Sequence, residues 1–236
     1  MSVRSAEMTK YAANCMLATK ISFMNEMANI SQRIGADIEE VRNGIGYGGS
    51  CFPKDVKALI KTASETGYQP KNLESVEFVN NRQKKKLYEL VCQYYGINAN
   101  QKKSLKGKTF ALWGLSFKPK TDDMREAPSR VIMASLWRSG AKVQAYDPES
   151  MAEVKRIYGC RSDLEFGDSK ESVLENADAL IICTEWQNFK APNFLLIKEC
   201  LADSVIFDDG DLFNDIDFNA LKIAYWSIGR ESKGLY

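Results

Sequence analysis

Apolar residues recur at helical spacing along the first third of the chain. From residue 5 to about 35 they run Met8, Tyr11, Ala12, Cys15, Met16, Ala18 and Ile21, then Phe23, Met24, Met27 and Ile30. They cover much of a helix circumference, which predicts one long, largely buried helix. Gly35 supplies a stop, and Asp37 a cap for a short helix through Arg42. A further helix is predicted from Pro53 to Glu65, ended by Gly67. Another, carrying Leu73, Val76, Val79, Leu87, Leu90 and Val91, is predicted from Asn72 to Tyr95, ended by Gly96. No strand pattern occurs before residue 106.

The period changes after the polar, lysine-rich segment Asn98–Lys106, the best linker candidate. Short apolar runs then alternate with helical patterns. Thr109–Trp113, Lys142–Tyr146, Ala179–Thr184, Val205–Phe207 and Ala224–Ile228 read as strands. Ser129–Arg138 and Met151–Tyr158 read as helices between them. This alternation predicts an open sheet with right-handed crossovers, whose ligands sit beyond the carboxyl ends of the strands. The expected architecture is an all-α domain over residues 1–105, followed by an α/β Rossmann-like domain over 106–236 with a mainly parallel sheet.

Composition narrows the chemistry. Hydrophobic residues make up 44% and charged residues 27%, as in a soluble globular protein with a substantial core. A net charge of +1 argues against a nucleic-acid or anionic-membrane binder. The chain has no histidine, which excludes Ser-His-Asp and Cys-His catalysis and most zinc sites within it; no metal site is expected. The six cysteines form no C-x-x-C pair, and no signal peptide or membrane span is visible. A reducing cytoplasm with free thiols is the expected setting.

The densest chemical signal is Gly46-Tyr47-Gly48-Gly49-Ser50-Cys51-Phe52-Pro53-Lys54-Asp55. It sets a cysteine between a glycine-rich loop and a helix start. Glycines there let the backbone approach a ligand, and Pro53 suits the first helical turn. The helix N-terminus and Lys54 favour the thiolate of Cys51. Asp55, four residues on, can share its face as an acid/base partner. Lys10 and Asn14 share a face of the first helix and could hold an oxyanion or orient a water. Taken alone, that pair reads as an exposed lysine and a solvated asparagine.

A second stretch, Gly114-Leu115-Ser116-Phe117-Lys118-Pro119 continuing to Pro128, follows a predicted strand and opens a helix. Its place favours a ligand role, with Lys118 and Arg125 as phosphate cations. The plainer alternative is a charged surface loop. No G-x-G-x-x-G dinucleotide fingerprint is present.

These runs resemble the UDP-glucose/GDP-mannose dehydrogenase family, in particular its bacterial UDP-glucose 6-dehydrogenase branch. The resemblance is carried by Arg4–Asn14, Gly46–Asp55, Phe117-Lys118-Pro119 with Thr121–Glu126, Thr184-Glu185-Trp186 and Ser227–Arg230. It implies oxidation of a nucleotide-sugar C6 alcohol to a carboxylate by two hydride transfers to NAD, giving UDP-glucuronate from UDP-glucose. By resemblance Cys51 is the nucleophile, Lys10 stabilises the oxyanion, and Asn14 and Asp55 position or activate water. Tyr47, Gly48, Phe117 and Lys118 line the UDP-sugar site, and Lys54 and Arg125 contact NAD. A homodimer through the helical domain is also implied.

Three departures stand out. The family's N-terminal NAD domain has no counterpart in the chain, so the 236 residues alone are expected to be inactive. Asn43-Gly44-Ile45-Gly46 replaces a longer substrate-enclosing loop. Asp208-Asp209-Gly210-Asp211 stands where family members carry Asp-Gly-Arg. A dehydrogenase of another nucleotide sugar and a non-catalytic nucleotide-sugar-binding or dimerisation module are the alternative readings.

Overall fold

A computed structural model describes residues 3–34 (side chains 5–26), 48, 49, 52–98, 104–210, 212, 213 and 215–228. Three helices open the chain: α1 (Val3–Ile34), α2 (Phe52–Glu65) and α3 (Lys71–Gln83). They meet through small residues on one stripe of α1. Cys15 and Ala18 pack with Val56 of α2 and Val76 of α3, flanked by Ile21, Phe52, Leu59 and Leu73. Ser22 extends the stripe and donates its hydroxyl to the Val76 carbonyl at 3.2 Å.

The rest of α1 is less buried than its apolar content predicts. Met8, Met16, Leu17 and Phe23 stand exposed, as does Phe78 of α3. Two helices of 14 and 13 residues cover only one side of a 32-residue helix.

The helix expected from Asn72 to Tyr95 is two helices, α3 and α4 (Lys86–Tyr94), parted at Lys84-Lys85. No glycine or proline marks the break, because tertiary packing imposes it. Val76 of α3 belongs to the helical cluster. Leu87, Leu90 and Val91 of α4 belong to the core of the sheet. One straight helix could not serve both.

The α/β part holds six strands: β1 (Thr109–Trp113), β2 (Lys142–Tyr146), β3 (Leu164–Phe166), β4 (Ala179–Ile182), β5 (Val205–Asp208) and β6 (Ala224–Ser227). Their order is β3-β2-β1-β4-β5-β6, and every pairing is parallel. Helices α5 (Pro128–Arg138), α6 (Met151–Tyr158), α7 (Phe194–Cys200) and α8 (Phe218–Leu221) complete it. The expected helical region followed by an α/β Rossmann-like sheet is what is found.

Both faces of the sheet are covered, which is why its central strands read as unbroken apolar runs. Phe110 and Leu112 of β1 face the layer of α4 and α5 with Val143, Ile181 and Phe207. Ala111 and Trp113 face the other way, with Leu180, Ile182, Phe189 and Tyr225. The strand order reverses between β1 and β4. In open sheets of this kind such a reversal marks the carboxyl edge as the ligand side.

Candidate functional site

The glycine loop of the helical part docks on the loop after β1. The Gly49 N–H donates to the Arg125 carbonyl at 2.8 Å. Gly49 has a φ of 81°, and a Cβ there would lie 2.8 Å from the Phe117 ring. A Cβ on Gly48 would lie 2.6 Å from the Glu126 carbonyl oxygen and 3.1 Å from Cβ of Phe117. Both positions therefore require glycine, for want of space in one case and for space and backbone in the other. Gly48, Phe117 and Arg125, distant in sequence, are brought together.

Helices α1 and α2 present a polar pair. Asn14 Nδ2 donates to Asp55 Oδ2 at 2.6 Å. Asp55 is buried in the first turn of α2. Burial, with Asp55 nearby, pushes the Cys15 thiol above its ordinary value, as suits an inert core cysteine. Lys10, Lys54 and Lys118 are exposed. The Lys118 ammonium lies 5.2 Å from the Phe117 ring centre. The Arg125 guanidinium is held by Asp123 through Nε–Oδ1 at 3.0 Å and Nη2–Oδ2 at 2.9 Å. That pairing holds the Asp123 carboxyl below its ordinary value. Cys51 and Tyr47 lie outside the described residues.

The edge loops are organised by Asp147, fully buried at the end of β2. Its Oδ2 accepts from the N–H of Leu115 at 2.7 Å and of Ser116 at 3.3 Å, and from the Trp186 indole at 3.1 Å. Its Oδ1 accepts from Glu149 and Ser150 N–H at 2.9 and 2.8 Å. One carboxylate thus ties the loops after β1, β2 and β4, including the one that carries Phe117 and Lys118. Sequence reasoning missed this role; the Asp-Pro step ending a predicted strand was its only trace. A hollow of about 500 Å³ opens nearby, lined by Lys120, Thr121, Asp122, Glu149 and Trp186.

Among the described residues, the positions that a dinucleotide site would use at the ends of β1 and β2 already make protein contacts. Gly114, the turn after β1, would place a Cβ 2.6 Å from Cβ of Thr184, so the β4 loop packs directly on this turn. The acid at the end of β2, which would hold a ribose in such a site, is Asp147, already committed to five N–H donors. Among the described residues no group of three or more Cys, Asp or Glu is placed to hold a metal. Nor is any helix among them long and apolar enough to cross a membrane.

Sequence comparison finds a family match in both parts of the chain. The pattern described as UDP-glucose/GDP-mannose dehydrogenase family, central domain, matches residues 4–46 and 41–82. That family's UDP binding domain matches residues 111–215. The chain belongs to the UDP-glucose/GDP-mannose dehydrogenase family. Within that family it is 42% identical to the UDP-glucose 6-dehydrogenase of Pseudomonas aeruginosa, over 99% of this chain and 54% of that protein. It is 39% identical to the UDP-glucose 6-dehydrogenase YwqF of Bacillus subtilis, over 98% and 54%. The solved UDP-glucose dehydrogenase of Pyrobaculum islandicum superposes with a TM-score of 0.81 at 27% identity, covering 98% of this chain and 52% of that one. The chain thus spans about half the length of the relatives it matches.

Proposed function

We propose that the chain is the cysteine-bearing and sugar-nucleotide-binding half of an NAD-dependent UDP-glucose 6-dehydrogenase. The observation that carries this reading is the docking of the Gly48–Gly49 loop on Phe117 and Arg125, together with the Asn14–Asp55 pair. Gly49 and Asp55 flank the position of Cys51 in the sequence. The ligand lies with its uridine diphosphate on the edge of the α/β part, over Phe117 and Lys118, and its sugar toward Tyr47, Gly48 and Cys51. The Cys51 thiolate adds to the C6 aldehyde carbon, and the Lys10 ammonium steadies the resulting oxyanion. After the second oxidation, Asp55, oriented by Asn14, takes a proton from the water that attacks the thioester carbon, and the Cys51 thiolate leaves. NAD, when bound, supplies the hydride acceptor for both oxidations. Lys54 and Arg125 are the residues of this chain that would contact it.

The proposed division falls at residue 105, with α4 packing across it onto the sheet. The proposed assembly is a homodimer through the helical part, and the proposed setting is the cytoplasm. No nucleic-acid or membrane partner is proposed.

Calorimetric titration of the 236-residue polypeptide tests the reading. UDP-glucose is expected to bind in preference to GDP-mannose and UDP-N-acetylhexosamines. Lys118→Ala is expected to weaken binding about tenfold through loss of a phosphate contact. With NAD and UDP-glucose together, no steady rise in NADH absorbance is expected, because the nicotinamide is not positioned against C6. Absence of any uridine nucleotide binding would sink the proposal, and sustained turnover would sink the expected inactivity.

A further inference from the structure

A charged cluster that the proposed chemistry does not use centres on Glu126, at the seam between the helical and α/β parts. The Glu126 carboxylate accepts from Lys57 of α2 at 2.8 Å and from Lys84, at the α3–α4 break, at 3.1 Å. The Lys84 side chain is only 3% exposed, so its ammonium needs a counter-charge, and Glu126 supplies it. Glu77 approaches Lys57 from α3 at 3.7 Å. The Glu126 backbone is left-handed, with a φ of 54°, a conformation that a non-glycine residue keeps only when its surroundings hold it. The same segment is what the glycine loop touches: Gly48 packs on the Glu126 carbonyl, and Gly49 donates to that of Arg125.

These observations connect in one direction. The two lysines fix the carboxylate, the carboxylate holds a strained backbone, and that backbone presents two carbonyls to the glycine loop. We propose that Glu126 is a positioning residue, a clamp that sets the Gly48–Gly49 loop against the β1 loop and so fixes the sugar end of the ligand pocket. The loop contact stands on geometry alone; its effect on the sugar rests on the UDP-sugar reading given above.

Two measurements on the full 236-residue chain test the clamp. The first is amide hydrogen exchange in Glu126→Gln. Gly49 is expected to exchange about tenfold faster or more, while the core amides of β1 and β4 keep their protection. The second is binding. UDP-glucose is expected to weaken about tenfold, and UDP, which has no sugar to place, by less than about twofold. A merely structural role would move both ligands together. Lys57→Met is expected to reproduce both effects without substituting any residue of the 125–126 segment, and Lys57→Arg to preserve the original behaviour. Unchanged Gly49 exchange in both Glu126→Gln and Lys57→Met overturns the clamp, whatever the ligands do. Faster exchange with an unchanged UDP-glucose to UDP ratio overturns its role at the pocket. If the unsubstituted chain binds neither ligand, the UDP-sugar reading fails, and the exchange data still decide the loop contact.

Discussion

Two carboxyl groups with opposite surroundings give opposite pH behaviour. Burial pushes the Asp209 carboxyl well above the ordinary aspartate range, and the charges of Asp208 and Glu185 add to the effect. The folded chain keeps a proton there that the unfolded chain has lost. Stability therefore falls as pH rises from the ordinary aspartate value toward the raised one. An uncharged amide at this position mimics the protonated form. Asp209→Asn should therefore match the original chain near pH 4 and exceed its melting temperature at pH 8. An equal or steeper decline in the variant would contradict this. Glu126 behaves the other way. The Lys57 hydrogen bond, with Lys84 adding to it, holds its carboxyl below the ordinary glutamate value of 4.5. The contribution is fully present above that value and is lost as pH falls through the lowered one. The difference in melting temperature between the original chain and Glu126→Gln should accordingly shrink as the pH drops below 4.5.

At the scale of elements, Gly114 shows how one turn fixes the sheet edge. Its φ is 86°, and Cβ of Thr184 fills the space a side chain would take. Gly107 has a nearly identical φ of 87° with nothing near it. Gly107→Ala should cost only the left-handed strain, about 1–2 kcal/mol. Gly114→Ala should cost at least about 1 kcal/mol more, from overpacking against the β4 loop. Urea denaturation of the two variants isolates that difference, and equal costs would mean the Thr184 contact is unimportant. The same contrast explains what the sequence could reveal. Strands β1 and β4 were legible because burial on both faces leaves uninterrupted apolar runs, Phe110–Trp113 and Ala179–Ile182. Strand β3, three residues at the sheet edge, has too short a pattern to register. Helix α7 escaped because Phe194-Leu195-Leu196-Ile197 reads as a plain apolar run; its signal was Asn193, which caps it by accepting from Leu195 and Leu196. In the site, glycines 48 and 49 announced a close approach, but not what approaches. Phe117 and Glu126 meet them from the far side of the linker, and no local pattern encodes such a pairing.

At the scale of the whole molecule, α1 carries an apolar face that α2 and α3 leave exposed. Met16 and Phe23 are one heptad apart, on one face of the helix, and each is 57% exposed; Phe78 on the neighbouring α3 is 65% exposed. Met8 and Leu17 add further apolar surface along α1. In a two-fold dimer each residue counts twice. Burying Met16 and Phe23 alone would gain about 2 kcal/mol per side chain, or about 8 kcal/mol in all. That equals a micromolar dissociation constant before the cost of association is subtracted. These two are therefore not sufficient, and Phe78 with the flanking apolar residues must join them for a dimer to persist at micromolar concentration. Removing either Phe23 or Phe78 should then drop the assembly below that threshold. The expected outcome is a dimer by light scattering at about 10 μM for the unsubstituted chain. Phe23→Glu and Phe78→Glu should each give monomers with unchanged helical content. A strict monomer without substitution would show that these side chains stay in water, and a dimer surviving both substitutions would place the two-fold contact elsewhere.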